Sequence, residues 1–236
     1  MEVKFVMVNA IAPFPDLMKR ILIVDDHAIF RLGLRTAINS LSTNAEIFEA
    51  DSLGTAISHL DSTSFDVAIV DINLSDGATG ASLIAHIRKM DYLTKIIVIS
   101  GDDTPETIIR CIEDGAAGYI TKGIGDERTL LTAFHCIFSG AVYLPSSVIQ
   151  EHQNLLSSND NGGNKKYKLT RRQREVLYYI CQGLPNKSIA RKMNLSENTV
   201  RKTYVSDILA IFEVARRTEL IIKISALGLK LTSPST

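Results

Sequence analysis

Three runs in this chain, Ile21 to Val24, Val67 to Val70 and Ile96 to Ile99, are apolar at every position and rich in β-branched residues. They constrain the fold more than any other feature. A strand wetted on one face alternates apolar with polar, whereas an unbroken run marks a strand buried on both faces, the situation of a parallel sheet between layers of helices. Gly118 to Thr121 is a run of the same length closing on a threonine, and Ile47 to Ala50 reads as a further strand. Helical patterns separate them over about 29–41, 53–60, 81–90, 105–114 and 126–138. Parallel neighbours require right-handed crossovers, so the expected fold is α/β, a doubly wound five-stranded parallel sheet in the order 2-1-3-4-5.

Each of the four runs ends on a residue useful in phosphoryl chemistry: Asp25 and Asp26, then Asp71, Ser100 and Lys122. Residues just past the carboxyl ends of parallel strands meet in one crevice at the topological switch point. Carboxylates crowded to ~4 Å repel by roughly 4 kcal/mol per pair at an effective dielectric near ~20, unless a cation sits among them. Mg²⁺ is the natural candidate, since it takes carboxylate, water and phosphate oxygens. A carboxylate beside it can act as a nucleophile toward phosphorus, with a lysine and a hydroxyl steadying the charge on the phosphoryl oxygens. Asp71 is the expected nucleophile.

Charge divides the chain. Residues 1–164 carry 11 basic against 21 acidic groups, and residues 165–236 carry 15 against 5, so a formally neutral protein is an acidic module followed by a basic one. The basic part has the electrostatic footprint of a nucleic-acid binder. The boundaries expected are an N-terminal extension over 1–17, an acidic domain over 18–142, a linker over 143–168 and a basic helical domain over 169–232. Met18-Lys19-Arg20 immediately precedes the first strand, and translation is expected to start at Met18. The linker contains Ser157-Ser-Asn-Asp-Asn-Gly-Gly-Asn-Lys-Lys, which has almost nothing to bury. Three scattered cysteines and five histidines show neither a disulfide framework nor metal-ligand spacing. No stretch has the eighteen or so apolar residues a membrane span needs, and a cytoplasmic protein is expected.

Beyond the linker, Thr170 and Gln173 have capping-box spacing, and Gly183 is placed to stop the helix they open. A short helix over Asn186 to Met193, a turn at Asn194-Leu195, an N-cap at Ser196, a third helix through about Phe212 and a fourth over 216–227 complete an all-α domain.

The run Ile21-Leu-Ile-Val-Asp-Asp-His27 with Phe30-Arg-Leu-Gly-Leu-Arg35 resembles the start of a receiver domain of NarL/FixJ-type response regulators. Leu169-Thr-Arg-Arg-Gln-Arg-Glu-Val-Leu177, Gly183-Leu-Pro-Asn-Lys-Ser-Ile-Ala190 and Ser196-Glu-Asn-Thr-Val200 resemble the LuxR-type helix-turn-helix. The resemblance implies a transcription regulator, not an enzyme, controlled by phosphate passed from a sensor histidine kinase to Asp71. It implies Mg²⁺ held by Asp26 and Asp71, with Asp25 acting through water and Asn73 through its backbone carbonyl. Ser100 and Lys122 would contact the phosphoryl oxygens, and Tyr119 would be a rotamer switch. Double-stranded DNA would be bound by Lys187, Arg201 and Lys202 on phosphates and by Asn198 and Thr199 at the head of the recognition helix, in an active homodimer. The alternative is a receiver controlled without phosphorylation. A phosphohydrolase would need an acid two residues after Asp71, where Asn73 stands.

The chain departs from the family pattern in three places. Ser75 stands where proline is usual, with Gly80 one residue late; Gly123 follows Lys122; and Val200 and Val205 lie five apart where four is usual. The last spacing means either a turn that has absorbed a residue or a π-bulge in the third helix.

Overall fold

The computed structural model describes residues 20–41, 44–74, 79–122, 127–138, 141–152, 167–232 and 234, with backbone only at 127–129 and 138. Five strands, β1 (Arg20–Val24), β2 (Glu46–Ala50), β3 (Val67–Asp71), β4 (Lys95–Ser100) and β5 (Gly118–Thr121), form one parallel sheet in the expected order β2-β1-β3-β4-β5. Ile21 pairs with Val67 and Asp71 with Ile99, so the polar strand ends line up along one edge of the sheet.

The pleat sends alternate residues to opposite faces. Ile21, Ile23, Val67, Ile69, Ile97, Ile99 and Ile120 meet α1 (Ala28–Leu41) and α5 (Glu127–Phe138). Leu22, Val24, Ala68, Val70, Ile96 and Val98 meet α2 (Leu53–Ser62), α3 (Gly80–Lys89) and α4 (Pro105–Glu113). Burying one such side chain contributes about 1.5–3 kcal/mol, which explains why the runs tolerate no polar residue.

Residues 143–152, assigned to the linker from sequence, instead begin with ordered structure. Val142, Leu144 and Val148 are apolar and buried, and they seat α6 (Ser146–Glu151) against α4. Residues 153–166, with the Ser/Asn/Gly-rich part of the linker, lie outside the described residues, as do 1–19 and the positions of Ser75 and Gly123.

The second module is helical: α7 (Arg171–Cys181), α8 (Asn186–Met193), α9 (Glu197–Thr199), a π-helical segment (Val200–Val205), α10 (Ser206–Ile211) and α11 (Arg217–Ala226). Thr170 and Gln173 form the expected capping box, and Gly183 turns the chain after α7 at φ 76°. Asn194 takes the left-handed conformation at the turn between α8 and α9, and Ser196 Oγ caps α9 by accepting from the Thr199 N–H at 3.0 Å. The π segment decides between the two sequence alternatives. Its wider turn puts residues five apart on one face, and Val200 and Val205 are both buried. The apolar cluster on the α4 side of the sheet continues through Val148 into Val176, Ile180, Ile189, Ile208 and Leu220 of this module. No helix among the described residues is long and apolar enough to cross a membrane.

Candidate functional site

At the carboxyl edge of the sheet, the sequence-predicted residues Asp25, Asp26, Asp71, Ser100 and Lys122 converge. Asp25, Asp71 and Ser100 are buried, because each is the residue at which a fully buried strand ends. Lys122 Nζ lies 2.6 Å from Asp71 Oδ2 and 2.7 Å from Asp25 Oδ2, bridging the two carboxylates. Its stem is steered by Phe30 of α1, whose ring centroid is 4.5 Å from the ammonium. Asp25 Oδ1 accepts from the His27 N–H at 2.8 Å, and Asp71 Oδ1 from the Asn73 N–H at 3.1 Å. Burial raises the Asp71 carboxyl above its ordinary 3.8, with the negative Asp25 adding to it, against the opposing pull of Lys122 and the Asn73 amide. For Lys122, burial works downward, but hydrogen bonding and charge from Asp25 and Asp71 outweigh it and raise its pKa above 10.5.

Ligand atoms of Asp25, Asp26, His27 and Asp71 all lie within 4.8 Å of one another, so the cluster can hold a metal ion. The three carboxylates are hard oxygen donors of the kind Mg²⁺ takes, and their buried like charge calls for a cation. His27 is a softer donor engaged with Asp26 Oδ1 at 2.8 Å. Asn73 joins the site through its N–H, which donates to Asp71 Oδ1.

Tyr119 is fully buried in β5, and burial pushes its hydroxyl up to about 12. That hydroxyl donates to the Asp102 carbonyl at 2.5 Å, while Ser100 Oγ accepts from the Asp102 N–H at 3.2 Å. Ser100 and Tyr119 thus hold opposite sides of the loop entering α4. Gly80 opens α3 directly against the acceptor: a Cβ there would lie 2.1 Å from the Asp71 carbonyl oxygen.

In the second module, Lys187, Asn198, Arg201 and Lys202 are exposed. Thr199 is half-buried and shares a 2.7 Å hydrogen bond with Ser196 Oγ, so its hydroxyl is engaged in the cap. The sequence reading missed His27, Phe30, Asp102 and Gly80 as members of the site. The position of His27 directly after Asp25-Asp26 was a usable signal; the others are set by contacts between distant elements.

An aspartate trio, two of its members buried and bridged by a lysine, at the switch edge of a doubly wound sheet, followed by a capped helix-turn-helix, defines a DNA-binding response regulator. The model of the response regulator receiver domain matches residues 21–135, and that of bacterial regulatory proteins of the luxR family matches residues 167–224. The chain is 30% identical over 207 residues to the oxygen regulatory protein NreC of Staphylococcus haemolyticus, covering 86% of this chain and 94% of that one. It is also 30% identical over 200 residues to the nitrate/nitrite response regulator NarL of Escherichia coli, covering 84% and 91%. Among solved structures, a LuxR-family two-component response regulator from Aurantimonas sp. is similar with a TM-score of 0.52 at 30% identity, covering 58% of this chain and 96% of that one. RcsB of Salmonella enterica serovar Typhimurium bound to a promoter shares the fold, with a TM-score of 0.51 at 21% identity, covering 88% and 98%. The chain belongs to the NarL/FixJ-type response regulators, which are transcription regulators of two-component systems.

Proposed function

We propose that the protein is switched by phosphorylation of Asp71 by a sensor histidine kinase, and that it then binds double-stranded DNA as a homodimer in the cytoplasm. The convergence of Asp25 and Asp71 on Lys122, with Asp26 beside the two carboxylates and Ser100 at the next strand end, carries this reading. An Asp71 carboxylate oxygen attacks phosphorus as the bond to the donor imidazole nitrogen breaks; the imidazole keeps the electron pair and takes up a proton. Asp26 and Asp71 would hold Mg²⁺, with Asp25 through water and Asn73 through its carbonyl, and the ion would supply charge neutralisation there. The Lys122 ammonium leaves the carboxylate pair for a phosphoryl oxygen, and the Ser100 hydroxyl donates to another. Once turned that way, Ser100 Oγ gives up its contact with the Asp102 amide. The loop that Tyr119 grips is then free to shift, and Tyr119 is the switch that follows it.

On the DNA side, Lys187, Arg201 and Lys202 supply phosphate contacts, while Asn198 and Thr199, at the head of the recognition helix, face the major groove. Incubation with acetyl phosphate and Mg²⁺, followed by intact-mass measurement, tests the switch. A gain of one phosphoryl group is expected in the wild type and none in Asp71→Asn. An unmodified wild type would reject the proposal in favour of control without phosphorylation.

A further inference from the structure

The two modules also touch well away from the acidic crevice, at the amino ends of β4 and β5. Asp91, in the turn after α3, has a left-handed backbone with φ 59°. Its carboxylate takes a hydrogen bond from the Ser188 hydroxyl and an ion pair from the Arg191 guanidinium, both on α8. Its backbone carbonyl accepts a second Arg191 N–H at 3.3 Å. Beside this contact Gly115 of the receiver and Gly183 of the DNA-binding module press together: a Cβ on Gly183 would lie 2.0 Å from the Gly115 carbonyl oxygen. Arg88 closes the corner, donating to the carbonyls of Thr94 at 3.2 Å and Gly115 at 2.6 Å.

The rest of this corner is not complementary, although the modules carry opposite net charge. Arg88 and Arg217 of α11 are both partly buried, and the charge of Arg217 acts on Arg88. Both donate to neutral carbonyls, those of Ile180 and Leu184 in the case of Arg217. Burial brings each guanidinium down to about 10, and for Arg88 the charge of Arg217 adds to the effect. Lys95, just inside β4, is also buried and donates to the Ile137 carbonyl at 2.5 Å.

We propose that Asp91 is a latch that holds the DNA-binding module closed on the receiver by gripping Ser188 and Arg191 of α8. The latch holds α8, while Asn198, Arg201 and Lys202 stay exposed. It therefore governs separation of the modules rather than screening of those DNA-facing positions. The inference stands whether or not Asp71 takes a phosphoryl group.

Small-angle X-ray scattering of the full chain without any phosphodonor tests it. Asp91→Ala and Arg191→Ala are each expected to raise the radius of gyration by several ångström from the wild-type value. The double variant should match either single one, because both break the same contact. The Arg191 side chain is 58% exposed, so its truncation leaves the module's fold intact, and Arg191→Lys, which keeps the charge, should stay at the wild-type radius. Single variants that scatter like the wild type, or effects that add in the double variant, would overturn the latch.

Discussion

Lys122 is the cation that keeps Asp25 and Asp71 side by side in this structure, and the surrounding chemistry follows from that position. Removing one partner of a buried charge group costs about 3–5 kcal/mol because the others are left uncompensated. Lys122→Ala is therefore expected to lower the melting temperature and to recover more of it on addition of Mg²⁺ than the wild type gains, as thermal denaturation with and without the ion would show. The direction of the Asp71 shift gives a second expectation. Its folded pKa is raised, so the proton it binds contributes stability that is fully present below 3.8 and is lost as pH rises through the folded value. Since Mg²⁺ needs the ionised carboxylate, its affinity should climb over the same window, and isothermal titration calorimetry at stepped pH would place that climb around 3.8 rather than above it if the shift were absent. Asp25, Asp26, Asp71, Ser100 and Lys122 were all legible in the sequence, because each closes an unbroken apolar run. Phe30 and Asp102 were not, since a ring beneath an ammonium and a carbonyl under a tyrosine hydroxyl leave no trace in local sequence.

At the scale of elements, two segments show how helices are fitted to their tasks. Gly80 allows α3 to start against the acceptor strand, and any side chain there meets the Asp71 backbone. Gly80→Ala should cost about 1–3 kcal/mol through overpacking and should slow phosphoryl uptake from acetyl phosphate, because Asp71 itself must move. An unchanged rate would show that the strand end yields freely. The π segment answers a different demand. Val200 and Val205 must both enter the core although five positions separate them, and a wider turn achieves it. The sequence spacing left that solution tied with an altered turn, because periodicity alone does not say which side of the cap absorbs a residue. Deleting the exposed Thr203 would restore four-residue spacing. The melting temperature should hold or rise, while DNA affinity in a gel-shift titration falls as Arg201 and Lys202 rotate away from the groove. The start of α6 was illegible for another reason: its apolar residues bury against α4, a partner distant in the chain, and the polar stretch after it dominates the composition.

For the whole molecule, the division into an acidic and a basic half could be read by counting charges, and the sheet order by counting strands. The seam could not be read, since Asp91 and Arg191 are 100 residues apart and neither belongs to a motif. The charge division has a measurable consequence for binding. The basic module carries 15 cationic against 5 anionic groups, and contacts it makes to DNA phosphates release counterions, so affinity must fall steeply with salt. Arg201→Ala and Lys202→Ala should each weaken binding to all sequences alike and reduce the slope of log affinity against log salt by about 1. Asn198→Ala should leave that slope unchanged and alter the preference among sequences instead, because an amide reads base edges rather than neutralising phosphates. Fluorescence anisotropy over a salt series, with two unrelated duplexes, separates the roles. A slope change at Asn198, or an unchanged slope at both Arg201 and Lys202, would mean that the π segment turns a different face of the helix toward the phosphates than the sequence spacing implies.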